Sequence, residues 1–180
     1  MTSVSHFLLA LIMLLLSGSP SVAAQDGAQS IADWAKEAEL ARRTGLPIML
    51  LFSSDHCPYC VRLKAEVLTP LVREGELKGN VLLREFNIDT GGKITDFDGE
   101  LIRSRVFVSR YGIYATPTVF MVDHQGEPLT EPIVGFKDAN AYKEHLNESI
   151  DSAIMSLATI GNPRFAHIPK PIPVLGQPLD

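Results

Sequence analysis

The sequence predicts an α/β domain in which helices cover both faces of a central sheet. Residues 48–52 are a short, continuous apolar run, which is typical of a strand buried on both faces, and residues 118–122 predict a second, mainly apolar strand. Strand-like and helix-like segments alternate along the chain, which is the order expected of an α/β fold. The 180 residues are 46% hydrophobic and 21% charged, a globular composition long enough to bury a core.

The helices are predicted from apolar residues that recur at helical spacing. Residues 30–43 form the first helix, with Ser30 as its N-cap and Gly45 at its end. Residues 57–74 form the second, which Pro70 is expected to kink or end. The other expected elements, in chain order, are a strand over residues 81–89, a hairpin over 91–103, a helix over 104–110, an edge strand over 132–135 and a helix over 138–155.

The first 24 residues are predicted to be a secretory signal peptide. Residues 7–16 are an unbroken run of ten apolar residues, which is too short to span a bilayer as a helix. Val22 and Ala24 occupy the −3 and −1 positions of a cleavage site after Ala24. Because residues 1–6 contain no Lys or Arg, an uncleaved lipid-facing anchor is the alternative. We expect a periplasmic or secreted protein with no stable membrane span after cleavage.

Two further segments are expected to lie outside the core of the domain, which is predicted over residues 25–156. Residues 91–103 contain Asp98-Gly99, and their charges and glycines predict a surface hairpin that is not part of the core. Residues 157–180 contain five prolines, which exclude a helix and predict a tail. That tail is either extended along the domain or disordered.

Cys57 and Cys60, the two cysteines of the chain, are predicted to be a catalytic pair. A disulfide between them closes a ring too small to restrain the fold, so the spacing suits reversible chemistry. Cys57 opens the second helix, where unpaired amides favour a thiolate, and Pro58 is tolerated in the first turn. Cys57 would attack a substrate disulfide and Cys60 would resolve the mixed disulfide. An imidazolium at His56 would favour the thiolate further.

Metal and nucleic-acid functions are not expected. A zinc site needs four ligands, and the sequence has no second Cys-x-x-Cys motif and scattered histidines, with His56 as the nearest third ligand. We therefore expect no metal and no other cofactor. The net charge of −5 argues against a nucleic-acid surface, which requires clustered Lys and Arg.

A second motif, Ala115-Thr116-Pro117-Thr118, leads directly into the strand over residues 118–122. Combined with a strand that precedes Cys-x-x-Cys at a helix start, this Thr-Pro resembles the thioredoxin superfamily over residues 31–155. The resemblance implies a thioredoxin fold with a central mixed sheet flanked by helices. It also implies that the Thr116–Pro117 bond is cis and lies against the cysteines, and that a substrate peptide pairs with the backbone there.

The sequence departs from ordinary thioredoxins in ways that suggest a subgroup. Pro58 and Tyr59 give the Cys-Pro-Tyr-Cys motif usual in glutaredoxins, and His56 replaces the family's tryptophan. The chain also has an insertion between residues 89 and 117. With the predicted export signal, these features look most like the bacterial periplasmic thioredoxins associated with sulfur oxidation and the related reductants of cytochrome c maturation. That likeness implies an electron-donating thiol transporter of the membrane as partner.

Glu85 is predicted to handle the proton of the resolving cysteine. Leu51, six residues before Cys57, stands where thioredoxins carry a buried aspartate. Alignment with the thioredoxin strand places Glu85 where that family has a lysine facing the cysteines, and a shielded thiol needs a nearby base. The alternative is a solvated glutamate at a strand end that pairs with Arg84 or another cation.

The sequence thus predicts an exported thiol–disulfide oxidoreductase that reduces disulfides of client proteins. Two alternatives are an oxidant or isomerase of the same chemistry and a peptide-binding module without turnover. A histidine between the cysteines often marks the strong oxidant of the superfamily, whereas Pro58 and Tyr59 lie there in this chain. The intact cysteine pair argues against a pure binding module.

Overall fold

The computed structural model describes residues 29–160 and shows a five-stranded mixed sheet with helices on both faces. In chain order the elements are β1 (Gln29–Ser30), α1 (Trp34–Thr44), β2 (Ile48–Ser53), α2 (Pro58–Leu63), a π-helical segment (Lys64–Leu68), α3 (Thr69–Glu74), β3 (Leu82–Asn87), β4 (Lys93–Thr95), β5 (Leu101–Arg103), α4 (Ser104–Arg110), β6 (Thr118–Val122), β7 (Ile133–Val134) and α5 (Ala139–Ile160). The predicted signal peptide, residues 1–24, and the chain after residue 160 lie outside the described residues.

The strand order β1-β3-β2-β6-β7 puts the apolar strand β2 in the middle of the sheet. β2 runs parallel to β3 and antiparallel to β6, and Phe52 lies beside Phe86 and Thr118. The end of β2 and the start of β6 therefore share one edge of the sheet. All six residues of β2 are buried, which confirms the prediction from its continuous apolar run.

Alternate side chains of β2 enter two separate apolar layers, because successive strand residues point to opposite faces. Met49 and Leu51 contribute to the layer formed with α2, the π-helical segment, α3 and α5. Ile48, Leu50 and Phe52 contribute to the layer formed with α1, α4 and the β4-β5 hairpin. Helices therefore cover both faces of the sheet, as predicted.

The hairpin of β4 and β5 was expected at the surface only, and that prediction is wrong for one of its faces. Ile94 and Phe97 are buried, and the Phe97 ring lies 5.4 Å from Trp34 and 6.1 Å from Phe107 between centroids. The glycines and all the charged residues of this segment except Asp96 are exposed, whereas Asp96 is buried and pairs with Arg110. The many polar residues concealed an apolar face that packs against Trp34 and Phe107.

The start of α1 also differs from the prediction. Ser30 lies in β1, which pairs with β3, so it is not the N-cap. Asp33 caps α1 instead, since its side chain accepts a hydrogen bond from the Lys36 amide. Gly45 ends α1 in a left-handed conformation with φ of 70°, as predicted.

Two other helix ends can be compared with the predictions. The helical chain continues through Pro70 to Glu74, which is the predicted end. The π-helical segment directly precedes Pro70, and the Thr69 amide donates there to the Lys64 carbonyl, a wider ring that accommodates a residue without an amide hydrogen. α5 extends to Ile160, past the expected start of the tail at residue 157.

Candidate active site

Cys57 and Cys60 lie where β2 gives way to α2, at the edge of the sheet where β6 begins. Cys57 is the N-cap of α2, and its Sγ accepts a hydrogen bond from the Cys60 amide at 3.0 Å. The two cysteines form a disulfide with their Cα atoms 5.2 Å apart. Cys57 is 8% exposed and Cys60 1%, so Cys57 is the more accessible residue.

The loop that precedes Cys57 is held by the end of β3. The Asp89 carboxylate accepts hydrogen bonds from the Ser54 hydroxyl at 2.7 Å and from the Asp55 amide at 2.8 Å. The Ser54 hydroxyl, followed by the Asp55 amide and the nearby His56, lowers the pKa of Asp89. His56 itself is exposed in this loop, directly before Cys57.

Glu85 is buried on the face of the sheet that α2 covers. It lies beside Leu51 in the β2-β3 register, on the strand next to the position where thioredoxins have their aspartate. The Ser53 hydroxyl donates to Glu85, and Lys64 Nζ lies 2.9 Å from the same oxygen. The alternative of an ion-paired glutamate is met in part: Glu85 pairs with another cation, Lys64, while Arg84 pairs with Glu37 and Glu85 is buried, not solvated.

Sequence reasoning missed Lys64 and Ser53 as members of this cluster. The spacing could have indicated Lys64, because it follows Cys60 by four residues and therefore lies one helical turn further along the same face. The structure thus brings Glu85, Ser53 and Lys64 together directly behind the helix that carries the cysteines.

The Thr116–Pro117 peptide bond is cis, as the resemblance implies. Because Thr118 pairs with Phe52, Pro117 lies at the same edge of the sheet as the cysteines. The Pro117 carbonyl accepts a hydrogen bond from the Gly135 amide at 2.7 Å. The Thr116 backbone, in contrast, has no hydrogen bond to any of the described residues, which leaves one amide and one carbonyl available to a peptide.

Two exposed aromatic residues flank this edge. Tyr59 lies between the cysteines and is 54% exposed, and Tyr114 lies just before Thr116 and is 84% exposed. Pro58 is also exposed. Sequence reasoning had not singled out Tyr114, although an aromatic residue two positions before the Thr-Pro pair was a readable signal. Exposed aromatic rings of this size are typical of surfaces that contact other proteins.

Residues 29–160 contain neither a cluster of metal ligands nor a membrane-spanning helix. Within that range no three or more His, Cys, Asp or Glu side chains come together as a metal ion would require. No helix of the described chain is both long and apolar enough to cross a membrane.

Comparison with known families assigns the domain. The sequence model of a family described as a thioredoxin-like domain matches residues 34–150. The chain belongs to this thioredoxin-like family. The match includes the Cys57–Cys60 pair and the Thr116–Pro117 bond, and a thioredoxin fold with such a cysteine pair supports thiol–disulfide oxidoreductase activity.

Individual relatives are distant. The thiol:disulfide interchange protein DsbD of Ralstonia nicotianae is 23% identical over 125 residues, which are 69% of this chain and 19% of that protein. The chain therefore spans about a fifth of the length of that relative. The oxidised C-terminal domain of Neisseria meningitidis DsbD is 21% identical with a TM-score of 0.47, covering 64% of this chain and 90% of that one. Spinach chloroplast thioredoxin f is 14% identical with a TM-score of 0.49, covering 71% and 94%.

Proposed function

We propose that this protein is an exported thiol–disulfide oxidoreductase that reduces disulfide bonds of periplasmic client proteins. The observation that carries the proposal is the position of Cys57. Its sulfur caps a helix and lies against Cys60 at the exposed edge of a thioredoxin-like domain. A structural disulfide gains nothing from a helix start, whereas a nucleophilic thiolate does.

The first step is attack by the Cys57 thiolate on a client disulfide. The Cys60 amide, which donates to Cys57 Sγ, and the start of α2 stabilise the negative sulfur before attack. One client sulfur leaves as a thiolate, and the other forms a mixed disulfide with Cys57. We expect the pKa of reduced Cys57 to lie below that of an ordinary cysteine, because the helix start favours the thiolate.

The second step is resolution by Cys60, which releases the reduced client and oxidises the pair. Cys60 is almost fully buried, so its proton has to pass to a nearby base. Glu85 is the buried carboxylate behind α2, and Ser53 and Lys64 hold it in place. In this proposal Glu85 accepts the Cys60 proton as the Cys60 sulfur attacks Cys57. The client gains the two electrons that the cysteine pair loses.

The client is proposed to bind as an extended segment along Thr116. The unpaired amide and carbonyl of Thr116 can add a strand of client backbone next to Cys57. Pro117 forms the floor, and Tyr59 and Tyr114 supply apolar contacts on either side. A thiol transporter of the membrane is proposed to return the pair to its reduced form, which the likeness to part of a thiol:disulfide interchange protein supports.

Trapping variants test the roles of the two cysteines. Cys60→Ser is expected to accumulate mixed disulfides with clients, because nothing then resolves the bond to Cys57. Cys57→Ser, the matched control, is expected to trap none. Equal trapping by both variants, or none by either, would show that the roles assigned to the cysteines are wrong.

The reduction potential of Cys57–Cys60 tests the direction of electron flow. A value near −200 mV or below, about the range of reducing members of the superfamily, supports the reductant. A value close to about −120 mV supports the oxidant instead. Failure to accelerate insulin reduction by dithiothreitol would leave only the peptide-binding alternative.

A further inference from the structure

An open hollow of about 330 Å³ lies between the start of β4, the end of β5 and the first turn of α4. Its lining contains three cationic side chains and no carboxylate; the residues are Gly91, Gly92, Lys93, Arg103, Ser104 and Arg105. We call it the basic hollow. All three cations are exposed on a chain whose net charge is −5. The hollow therefore carries local positive charge on a protein whose net charge is negative.

The three cations of the basic hollow have no ion-pair partner among residues 29–160. Lys93 lies directly opposite Arg103 in the β4-β5 register, so both side chains leave the same face of the hairpin. Like charges opposed across two strands are destabilising. Neither residue, nor Arg105, forms an ion pair with any part of the chain that the structure describes, whereas Arg84 and Arg110 do. Negative charge supplied by another molecule would relieve this repulsion.

Apolar side chains border the basic hollow. Leu101 is 67% exposed and lies two residues before Arg103 in β5, hence on the same face. Val106, beside Arg105 in α4, is 47% exposed. A free inorganic anion gains no apolar contact from exposed leucine and valine, whereas a protein surface can bury these side chains. The combination favours an acidic segment of a protein as the occupant.

A short stretch of chain connects the basic hollow to the loop that carries Cys57. Asp89 holds the loop before Cys57 through Ser54 and Asp55, and Gly91, at the rim of the hollow, follows only two residues later. We therefore expect an extended segment that flanks a disulfide at Cys57 to reach the hollow.

We propose that the basic hollow docks an acidic segment of the client protein while the client disulfide reacts at Cys57. This inference rests on the proposed function and adds a class of client, one with carboxylates near its reducible disulfide. Charge complementarity of this kind accelerates association by about 10–1,000-fold at low ionic strength and weakens as salt is added. Docking is therefore expected to raise the second-order rate constant of reduction and to leave the reduction potential of Cys57–Cys60 unchanged.

The test uses two synthetic peptides that share one intramolecular disulfide, flanked in one by glutamates and in the other by glutamines. Each rate is divided by the rate with dithiothreitol, because flanking carboxylates also change the intrinsic reactivity of the disulfide. The full-length protein is compared with a variant in which Lys93, Arg103 and Arg105 are all replaced by Gln. The control replaces Arg42, Arg43 and Lys78 by Gln. These residues precede the starts of β2 and β3, at the other end of the strands, and the change in net charge is the same.

We expect the glutamate peptide to react about tenfold faster than the glutamine peptide at low salt. The preference should vanish in the hollow variant and at high salt, and it should persist in the control. Equal rates for the two peptides, or an equal loss of preference in the control, would refute the inference while leaving the proposed reductase intact. Reduction of neither peptide would instead count against the proposed function.

A membrane occupant is tested separately with vesicles of phosphatidylglycerol and phosphatidylcholine. Binding to these vesicles that depends on Lys93, Arg103 and Arg105, without discrimination between the peptides, would show that the hollow contacts anionic lipid. That result would overturn the inference.

Discussion

Removal of Lys64 is predicted to destabilise the domain more than neutralisation of Glu85. Lys64→Met leaves a buried carboxylate with the Ser53 hydroxyl as its remaining partner. Glu85→Gln keeps an acceptor for Ser53, and Lys64, whose side chain is 39% exposed, can turn its ammonium into water. Replacing either partner of this ion pair therefore lowers the free energy of unfolding by a different amount, because only Glu85 is buried.

The magnitude follows from the burial of the pair. Breaking a fully buried ion pair costs about 3–5 kcal/mol, and an exposed pair contributes about 0.2–1 kcal/mol. The Glu85 side chain is 10% exposed and that of Lys64 is 39% exposed, so the pair lies between these limits. We expect Lys64→Met to lower the free energy of unfolding by about 2 kcal/mol and Glu85→Gln by about 1 kcal/mol or less.

Urea denaturation measures both changes, with Arg42→Met as the control because it breaks an exposed pair with Glu39. The rate of mixed-disulfide resolution as a function of pH then tests the proposed base. Glu85→Gln should slow resolution and change its pH profile. A larger stability loss in Glu85→Gln than in Lys64→Met would refute the burial argument, and an unchanged pH profile would make Glu85 purely structural.

Three further predictions concern the hairpin and its surroundings. Phe97→Ala should lower stability by about 3 kcal/mol in urea denaturation, as expected for a buried aromatic side chain, and a loss below about 1 kcal/mol would contradict its place in the core. Gly126→Ala, whose Cβ would lie 2.5 Å from Phe97 Cδ2 at a φ of 81°, should cost about 2 kcal/mol, and less in a Phe97→Ala background. Burial opposes ionisation of Asp96, but hydrogen bonds from Arg110 and the Phe97 amide outweigh it and lower its pKa. The stability from this carboxylate is therefore present above about pH 4 and lost as pH falls through the lowered pKa, so Asp96→Asn should flatten the acid limb of the stability curve.

Local sequence patterns were sufficient to predict much of the fold and the cysteine pair at the centre of the site. The apolar runs of β2 and β6, the Cys57–Cys60 spacing and Pro117 each depend on residues close together in sequence. Burial on both faces and a helix start are features that such short segments encode directly. The cis bond before Pro117 was expected from the resemblance to thioredoxins, because most X–Pro bonds are trans.

The burial of one face of the β4-β5 hairpin could not be predicted from local patterns. Ile94 and Phe97 lie among charges and glycines, and they become core residues only because Trp34 and Phe107 arrive from other elements. An apolar residue in a polar segment acquires its role from what packs against it, which periodicity within the segment does not report.

The sequence by itself determined the reacting pair, because Cys57 and Cys60 are one helical turn apart whatever surrounds them. Only the tertiary structure decided how that pair is supported and what lies beside it. Lys64 meets Glu85 across 21 residues of sequence, and the basic hollow brings Lys93 and Arg103 together across a hairpin turn. Charged side chains interact through distance in space and through burial, and both are set by strand register and helix packing.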